Sequence, residues 1–247
     1  MRFTTLLRHG VIAGGAAGMA AALMLWLVVE PVIRRALVIE AARGGEHGHV
    51  HAEEPLVSRT VQVLGGVVTS SLVGLLFGVV FAVVFAKVRH RMPGSTDCGR
   101  ALVLASIGFA VFTLVPALKV PANPPAVGDA STVTERTLLY LLTILLGLLV
   151  IGVTGRVDRL VRSRDAAAGN RYAVDVLAAT TSVVLILVLV PNSPDTVPSD
   201  VPADLLWDFR LASLAQLGAM WLVLGLGFGV LVESRTRKRR AVAQGSV

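Results

Sequence analysis

The sequence is poor in charged residues, aromatic residues and cysteine, and each shortage excludes a class of protein. Charged side chains make up 16% of the 247 residues and hydrophobic ones 54%, whereas soluble domains carry roughly a quarter charged residues. Aromatic residues amount to 5%, too few for the stacking platforms that bind single-stranded nucleic acid. The single cysteine, Cys98, excludes an intramolecular disulfide and any metal cluster that needs several thiolates.

Three sequence motifs of enzymes are also missing. The chain has no Gly-x-x-x-x-Gly-Lys-Ser/Thr loop, no His-Glu-x-x-His and no Gly-x-Ser-x-Gly, which are the patterns of nucleotide hydrolysis, zinc proteolysis and serine hydrolysis. We therefore expect no enzyme and no permanently bound cofactor.

Six apolar stretches are long enough to cross a bilayer, which takes about 20 residues of helix. The gaps between them reach only roughly 30 residues, too short for a soluble domain of ordinary size. We therefore predict an all-α integral membrane protein, a bundle of about six transmembrane helices that forms a single polytopic membrane domain over residues 1–247. The predicted spans are approximately 11–29, 61–86, 101–118, 137–155, 173–190 and 211–232.

The basic residues predict the orientation of these spans. Sixteen of the 23 Lys and Arg lie at the two termini and in the second and fourth loops, and an excess of this kind marks the cytoplasmic side. Both termini are therefore predicted to be cytoplasmic in a multi-pass protein of the cell membrane. Eleven of the sixteen acidic residues lie on the opposite, external side, where they would attract cations.

Three histidines in a predicted external loop, residues 40–59, are the sharpest chemical signal. His47, His49 and His51 alternate along the chain, so an extended backbone would direct all three imidazoles to one side. Imidazole suits cobalt, nickel, zinc and copper alike, and Glu46 adds a carboxylate. We interpret the loop as a site that captures a transition metal; the alternative is a solvated polar loop that contains histidines.

Glu30, followed by Pro31, is the second candidate metal ligand. A carboxylate in a spanning segment tends to face the interior of a bundle or a water-filled path, so Glu30 could receive a cation from the histidine loop. Equally, Glu30 could be an interfacial carboxylate that pairs with Arg34 one turn later.

A proline-rich segment, predicted as an external loop over residues 116–136, is the third candidate. Proline cannot continue regular hydrogen bonding, and the free carbonyls of a rigid loop could coordinate a passing cation. Lys119 would repel that cation unless a carboxylate such as Asp129 pairs with it. The alternative is a stiff linker. The residues assigned to a substrate pathway are Pro116, Pro121, Asn123, Pro124, Pro125 and Asp129.

The last external loop adds four aspartates, Asp195, Asp200, Asp204 and Asp208. If a helix starts near Pro202, Asp204 and Asp208 share one face of it, and we add Asp208 to the predicted pathway. An ordinary acidic loop is the alternative.

Small residues at four-residue spacing predict close helix packing in the membrane. They form ridges in the first, second and sixth spans: Gly10, Gly14, Gly18 and Ala22, then Gly74 and Gly78, then Gly225 and Gly229.

Across nearly its whole length the sequence resembles the CbtA family of cobalt transporter subunits. The residues that carry the resemblance are Met1-Arg2-Phe3 before a glycine-rich helix, the external histidines, the run Pro121 to Asp129, Arg136-Thr137 with Tyr140, and Leu206-Trp207-Asp208-Phe209-Arg210. The resemblance implies cobalt uptake for cobalamin synthesis, often beside a one-helix, histidine-rich partner called CbtB. Cobalt, rather than nickel or zinc, comes from the resemblance alone.

These observations predict a membrane subunit of a transition-metal uptake transporter. It would capture divalent cobalt at the histidine loop and admit it through the helix bundle. The alternative is a membrane interaction protein that binds or senses metal for a partner without forming the pathway. The predicted partners are the lipid bilayer and the one-helix subunit, and no nucleic acid is expected.

Overall fold

The computed structural model describes residues 2–46, 58–125, 127–163 and 167–244, with side chains for all of these except 44–46, 168 and 237–244. All the regular secondary structure in these ranges is helical. The α-helices are α1 (Phe3–Met24), α2 (Glu30–Glu46), α3 (Arg59–Val88), α4 (Asp97–Phe109), α5 (Val115–Lys119), α6 (Val133–Arg162), α7 (Ala168–Leu189) and α8 (Ala203–Gln244).

Six helical stretches of the described chain are long and apolar enough to cross a membrane, which confirms the six predicted spans. Each begins before its predicted window, and all but the fifth also end after it, because backbone hydrogen bonds are satisfied within a helix whatever surrounds it. The stretches are Phe3–Arg43, Arg59–Val88, Asp97–Lys119, Ala130–Arg162, Gly169–Leu189 and Ala203–Thr236.

The first and third spans each contain one turn of π-helix, at Leu25–Val29 and Ala110–Leu114. Each π turn ends two residues before a proline, Pro31 or Pro116. Proline offers no N–H and crowds the carbonyl one turn earlier, and a widened turn relieves that conflict without ending the helix. The N–H of Glu30 accordingly donates to the oxygen of Leu25, five residues back.

The extended proline segment is consequently shorter than the 116–136 loop expected from the sequence. Pro116 lies inside the third span, and α5 continues to Lys119. A 3-10 turn at Ala130–Thr132 then leads directly into α6. The described irregular chain between the third and fourth spans is therefore limited to residues 120–125 and 127–129.

The chain divides into two compact units. Unit 1 contains Met1–Phe109, Pro124–Ala126 and Val201–Val247. In unit 1, α1 packs against α3 and α8, and α4 packs against α8. The rings of Phe81 and Phe85 meet Phe228 edge to face, with centroids 5.2 and 5.0 Å apart.

Unit 2 contains Ala110–Asn123 and Val127–Asp200, and α6 packs along α7 in it. Its apolar core is Val115, Leu139, Ile186 and Val190. The hydroxyl of Tyr140 donates to the carbonyl oxygen of Phe112 at 2.9 Å, the oxygen that Pro116, four residues on, has no N–H to reach.

Candidate functional site

The predicted histidine ligands His47, His49 and His51 lie outside the described residues, and Glu46 is the last residue of α2. Among the residues that the structure does describe, no group of three or more His, Cys, Asp or Glu could hold a metal ion. The remaining candidates therefore have to be judged singly, from their own surroundings.

Glu30 lies at the first residue of α2, directly after the π turn, and its side chain is 5% exposed. Two guanidinium groups hold its carboxylate. Arg34 Nε donates to Oε1 at 3.1 Å, Arg59 Nε donates to the same oxygen at 3.1 Å, and Arg59 Nη2 donates to Oε2. Arg59 Nη1 in turn donates to Gln62 at 2.8 Å.

The ion pair with Arg34 is the alternative role that helical spacing predicted for Glu30. The bonds from Arg59 come from a residue 29 positions away, at the start of α3, so no local pattern could have indicated them. A buried carboxylate is tolerated when its charge is compensated and its lone pairs are hydrogen-bonded, and the two arginines meet both conditions.

Asp204 and Asp208 share a face of α8, as expected from a helix that starts near Pro202. Both accept hydrogen bonds from Arg35 of α2, at 3.2 and 2.8 Å. The three side chains are 46 to 73% exposed, so these ion pairs contribute little to stability. They do place carboxylates from α8 beside the helix that carries Glu30.

In unit 2 a polar cluster forms around Asp195, whose side chain is 3% exposed. One carboxylate oxygen accepts from Asn123 Nδ2 and from Arg136 Nη1, both at 2.9 Å. The other accepts from Thr132 Oγ1 at 2.7 Å. Asp195 thus joins the chain after α7, the proline segment and the start of α6.

Lys119 is buried, and its ammonium donates to Asn192 Oδ1 at 2.8 Å. Asp129, the partner suggested by charge alone, is exposed and instead accepts from the N–H of Ser131 at 2.7 Å. That hydrogen bond holds the pKa of Asp129 below its ordinary value. The charge of Lys119 is accommodated by an amide oxygen.

Gly128 allows the proline segment to pass close to this cluster. Its φ of +106° lies in the region that favours glycine. A Cβ atom there would lie 3.0 Å from Arg136 Nη1 and 3.3 Å from Asp195 Oδ2. Of the predicted pathway residues nearby, Pro116 and Pro124 are fully buried, and Pro121, Asn123 and Pro125 are half-buried.

Arg59 and Asp195 are the residues of these clusters whose contacts the sequence did not indicate. Asp195 was visible only as one of four aspartates in an acidic loop. Its partner Asn123 is 72 residues away, and a pairing at that distance leaves no periodic signal.

A protein-family model matches most of the chain. The family model "Probable cobalt transporter subunit (CbtA)" covers residues 3–233 of the chain. No curated protein and no solved structure matches.

Proposed function

The chain belongs to the CbtA family of cobalt transporter subunits, and from that membership we propose that it is the membrane subunit of a divalent cobalt uptake system. It is a multi-pass membrane protein with six helices capable of crossing the bilayer. The family match over residues 3–233 is the observation that carries the proposal. A transporter subunit works with a partner, and a one-helix, histidine-rich subunit of the CbtB type is the partner we propose.

The capture step is assigned to His47, His49 and His51, with Glu46 as an additional ligand. Neutral imidazole binds borderline divalent metals, and an acidic loop raises the local concentration of cations. From there the metal would pass Glu30 and Asp208. Binding has to be weak enough for release, which agrees with single carboxylates along the route rather than a closed cage.

A second candidate function is a membrane interaction protein that delivers or senses metal for its partner. The observation in its favour is that Glu30 and Asp208 are both engaged by arginines, so neither is a ready cation site. The two functions differ in one measurable respect. Only a pathway-forming subunit transports cobalt when purified and reconstituted into vesicles, alone or with its partner.

Replacing His47, His49 and His51 together by alanine is expected to lower cobalt uptake at limiting cobalt by about tenfold or more. The reason is the loss of the imidazole ligands that concentrate the metal. The measurement is accumulation of radioactive cobalt in metal-starved cells that express the chain, with and without the one-helix partner.

The matched control is His90→Ala, which removes an exposed histidine from the turn after α3, on the predicted cytoplasmic side. Its uptake should equal that of the unchanged protein. Equal uptake by the triple variant, at equal abundance in the membrane, would remove the histidine loop from the proposal. Uptake that does not depend on the chain at all would leave the interaction protein ahead.

The proposed orientation can be tested because the chain contains one cysteine. In a Cys98→Ala background, single cysteines are introduced at Ser58 and at Ser95, both of which are exposed. A membrane-impermeant maleimide should label Ser58→Cys in intact cells and Ser95→Cys only after permeabilisation, because positive-inside charge places residue 58 outside. The opposite pattern would reverse the orientation and place the histidine loop in the cytoplasm.

A further inference from the structure

One face of α6 in unit 2 lies opposite the side on which the helix packs and is exposed along its length. The packed side carries the buried residues Leu139, Thr143 and Gly147. Residues three and four positions apart share a face of a helix, and on the opposite face four leucines, 51 to 64% exposed, are followed by a glycine and two arginines. We call this the leucine–arginine face; its members are Leu138, Leu141, Leu145, Leu149, Gly152, Arg156 and Arg159.

The two arginines at the end of this face have no carboxylate partner in the described chain. Arg156 is exposed and forms no hydrogen bond or ion pair with a described residue. Arg159 Nε donates to the backbone oxygen of Gly155 at 3.1 Å, which leaves its Nη atoms for another acceptor. Like charges one helical turn apart repel each other, so an anion between the two guanidinium groups would stabilise this end of α6.

Two further arginines at the same end of unit 2 are neutralised within the chain. Arg162 Nη2 and Arg171 Nη2 donate to the two oxygens of Asp158, at 2.8 and 2.9 Å. The carboxylate of Asp158 thus joins the end of α6 to the start of α7. The described basic residues therefore divide into a pair that shares an acid and a pair, on the leucine–arginine face, that has none.

Two glycines leave the helix surface recessed beside the unpaired arginines. Nothing lies within 4 Å of a Cβ atom built at Gly152 or at Gly155. Gly147, on the packed side, differs, because a Cβ there would lie 3.2 Å from the side chain of Val111. Glycine weakens a helix relative to alanine, and no contact within the described chain explains it at residues 152 and 155. The recess is open to a molecule from outside the chain.

We propose that the leucine–arginine face binds an anionic phospholipid of the membrane leaflet at that end of α6. Phosphate oxygens match the planar, multi-donor guanidinium group, and basic residues at the ends of membrane helices bind anionic headgroups. The phosphate lies between Arg156 and Arg159, the glycerol backbone lies against Gly152, and the acyl chains follow the leucines. This binding site does not depend on the proposed transport of cobalt.

A second copy of the chain fits this face less well than a lipid does. Copies related by a two-fold axis along the membrane normal are parallel. A self-complementary contact through the face would bring Arg156 and Arg159 of one copy beside the same residues of the other. These guanidinium groups repel one another, whereas an anionic headgroup compensates their charge.

The lipid that contacts this face can be identified by fluorescence quenching. The full chain carries Cys98→Ala and Leu149→Cys, and a bimane fluorophore is attached at residue 149, where the leucine is 59% exposed. The protein is reconstituted into vesicles that mix phosphatidylglycerol and phosphatidylcholine, with bromine on the acyl chains of one lipid at a time. Bromine quenches a fluorophore that it contacts, so the mixtures give the relative binding constant of the two lipids. Phosphatidylglycerol should be favoured about tenfold.

Substitutions at the two arginines should remove this preference, and a matched control should keep it. Arg156→Gln and Arg159→Gln, made singly, should each lower the preference about threefold, and the double variant should lose nearly all of it. Arg162→Gln is the control, since it removes the same charge from the same end of α6 but from a side chain paired with Asp158. Gly152→Leu keeps every charge and should lower the preference about threefold, because leucine fills the recess.

Four results would overturn the proposal. Equal quenching by the two lipids would show that the face does not select an anionic headgroup. An equal loss in Arg162→Gln and Arg156→Gln would mean that only the total charge at this end of the helix matters. If excess glycerol phosphate abolishes the preference, the arginines bind a free phosphate rather than a lipid. If oxidation of the unlabelled Leu149→Cys protein in vesicles gives a disulfide-linked dimer in high yield, a second copy covers the face.

Discussion

Replacing Gly78 by leucine is expected to leave almost no folded protein in the membrane. A Cβ atom at Gly78 would lie 2.2 Å from the carbonyl oxygen of Gly10 and 2.6 Å from the Cα of Gly14. Those atoms belong to the backbone of α1, so no change of side-chain rotamer can relieve the clash. Any side chain at residue 78 therefore forces α1 and α3 apart.

Separation of these helices is costly because association in a bilayer depends on close packing rather than on the hydrophobic effect. The contact continues along both helices, since a Cβ at Gly74 would lie 2.3 Å from the Cα of Gly18. Alanine at residue 78 should cost about 1 to 3 kcal/mol of unfolding free energy, and leucine more than that. The readouts are folded yield on size exclusion in mild detergent and the unfolding midpoint in SDS.

Gly65→Ala is the matched control for Gly78→Ala. It lies in the same helix, and nothing is within 4 Å of its Cβ position. It should remain within about 1 kcal/mol of the unchanged protein, with any shift towards greater stability because alanine favours helix. If Gly78→Leu folds with an unchanged midpoint, α1 and α3 are not in contact at this position.

Replacing Asp195 by alanine is expected to destabilise unit 2 by about 3 kcal/mol. The change leaves Asn123, Thr132 and Arg136 without the acceptor that joins them. Asp195 is buried and Arg136 is 26% exposed, so the loss of the carboxylate removes the main compensation of a partly buried arginine. Asp195→Asn keeps the shape and one acceptor oxygen, so it should lose less stability.

The loss of stability should be concentrated in the proline segment, residues 120–129. Limited proteolysis of Asp195→Ala should cleave this proline segment faster than in the unchanged protein, because Asn123 loses its hydrogen bond to Asp195. Asp129→Asn is the control, since it removes an exposed negative charge from the same segment but keeps a side-chain oxygen for the N–H of Ser131, and it should leave both the unfolding midpoint and the cleavage rate nearly unchanged. Equal behaviour of the two variants would mean that Asp195 does not organise the segment.

Where the sequence predicted the structure well, the property concerned was local. Spanning length, apolarity and the small residues Gly10, Gly14, Gly74 and Gly78 can be seen in a window of one helix, and the six spans and the α1–α3 contact are present. The predicted start of the external loop at residue 116 was wrong, because the hydrogen bond that Pro116 cannot donate was taken to exclude regular structure there. A π turn at Ala110–Leu114 accommodates the proline without ending the helix, and α5 continues to Lys119.

Where the sequence did not suffice, the property depended on residues distant in the chain. Helical spacing predicts one partner of Glu30, Arg34, which lies one turn away. No sequence pattern predicts the other partner, Arg59. Lys119 was matched by charge to Asp129, yet its ammonium meets the amide of Asn192. Charge is a weak guide to such pairs, because burial and hydrogen-bond geometry decide which acceptor a cation reaches.

By itself the sequence determined that this chain is a helical membrane protein, how many spans it has and which of their faces carry small residues. These follow from the length and apolarity of continuous segments, which the bilayer thickness makes decisive. Only the tertiary structure decided that Arg59 takes both oxygens of Glu30 and that Asp195 holds the proline segment. Such contacts are made between helices, so they arise only once packing has brought the helix ends together.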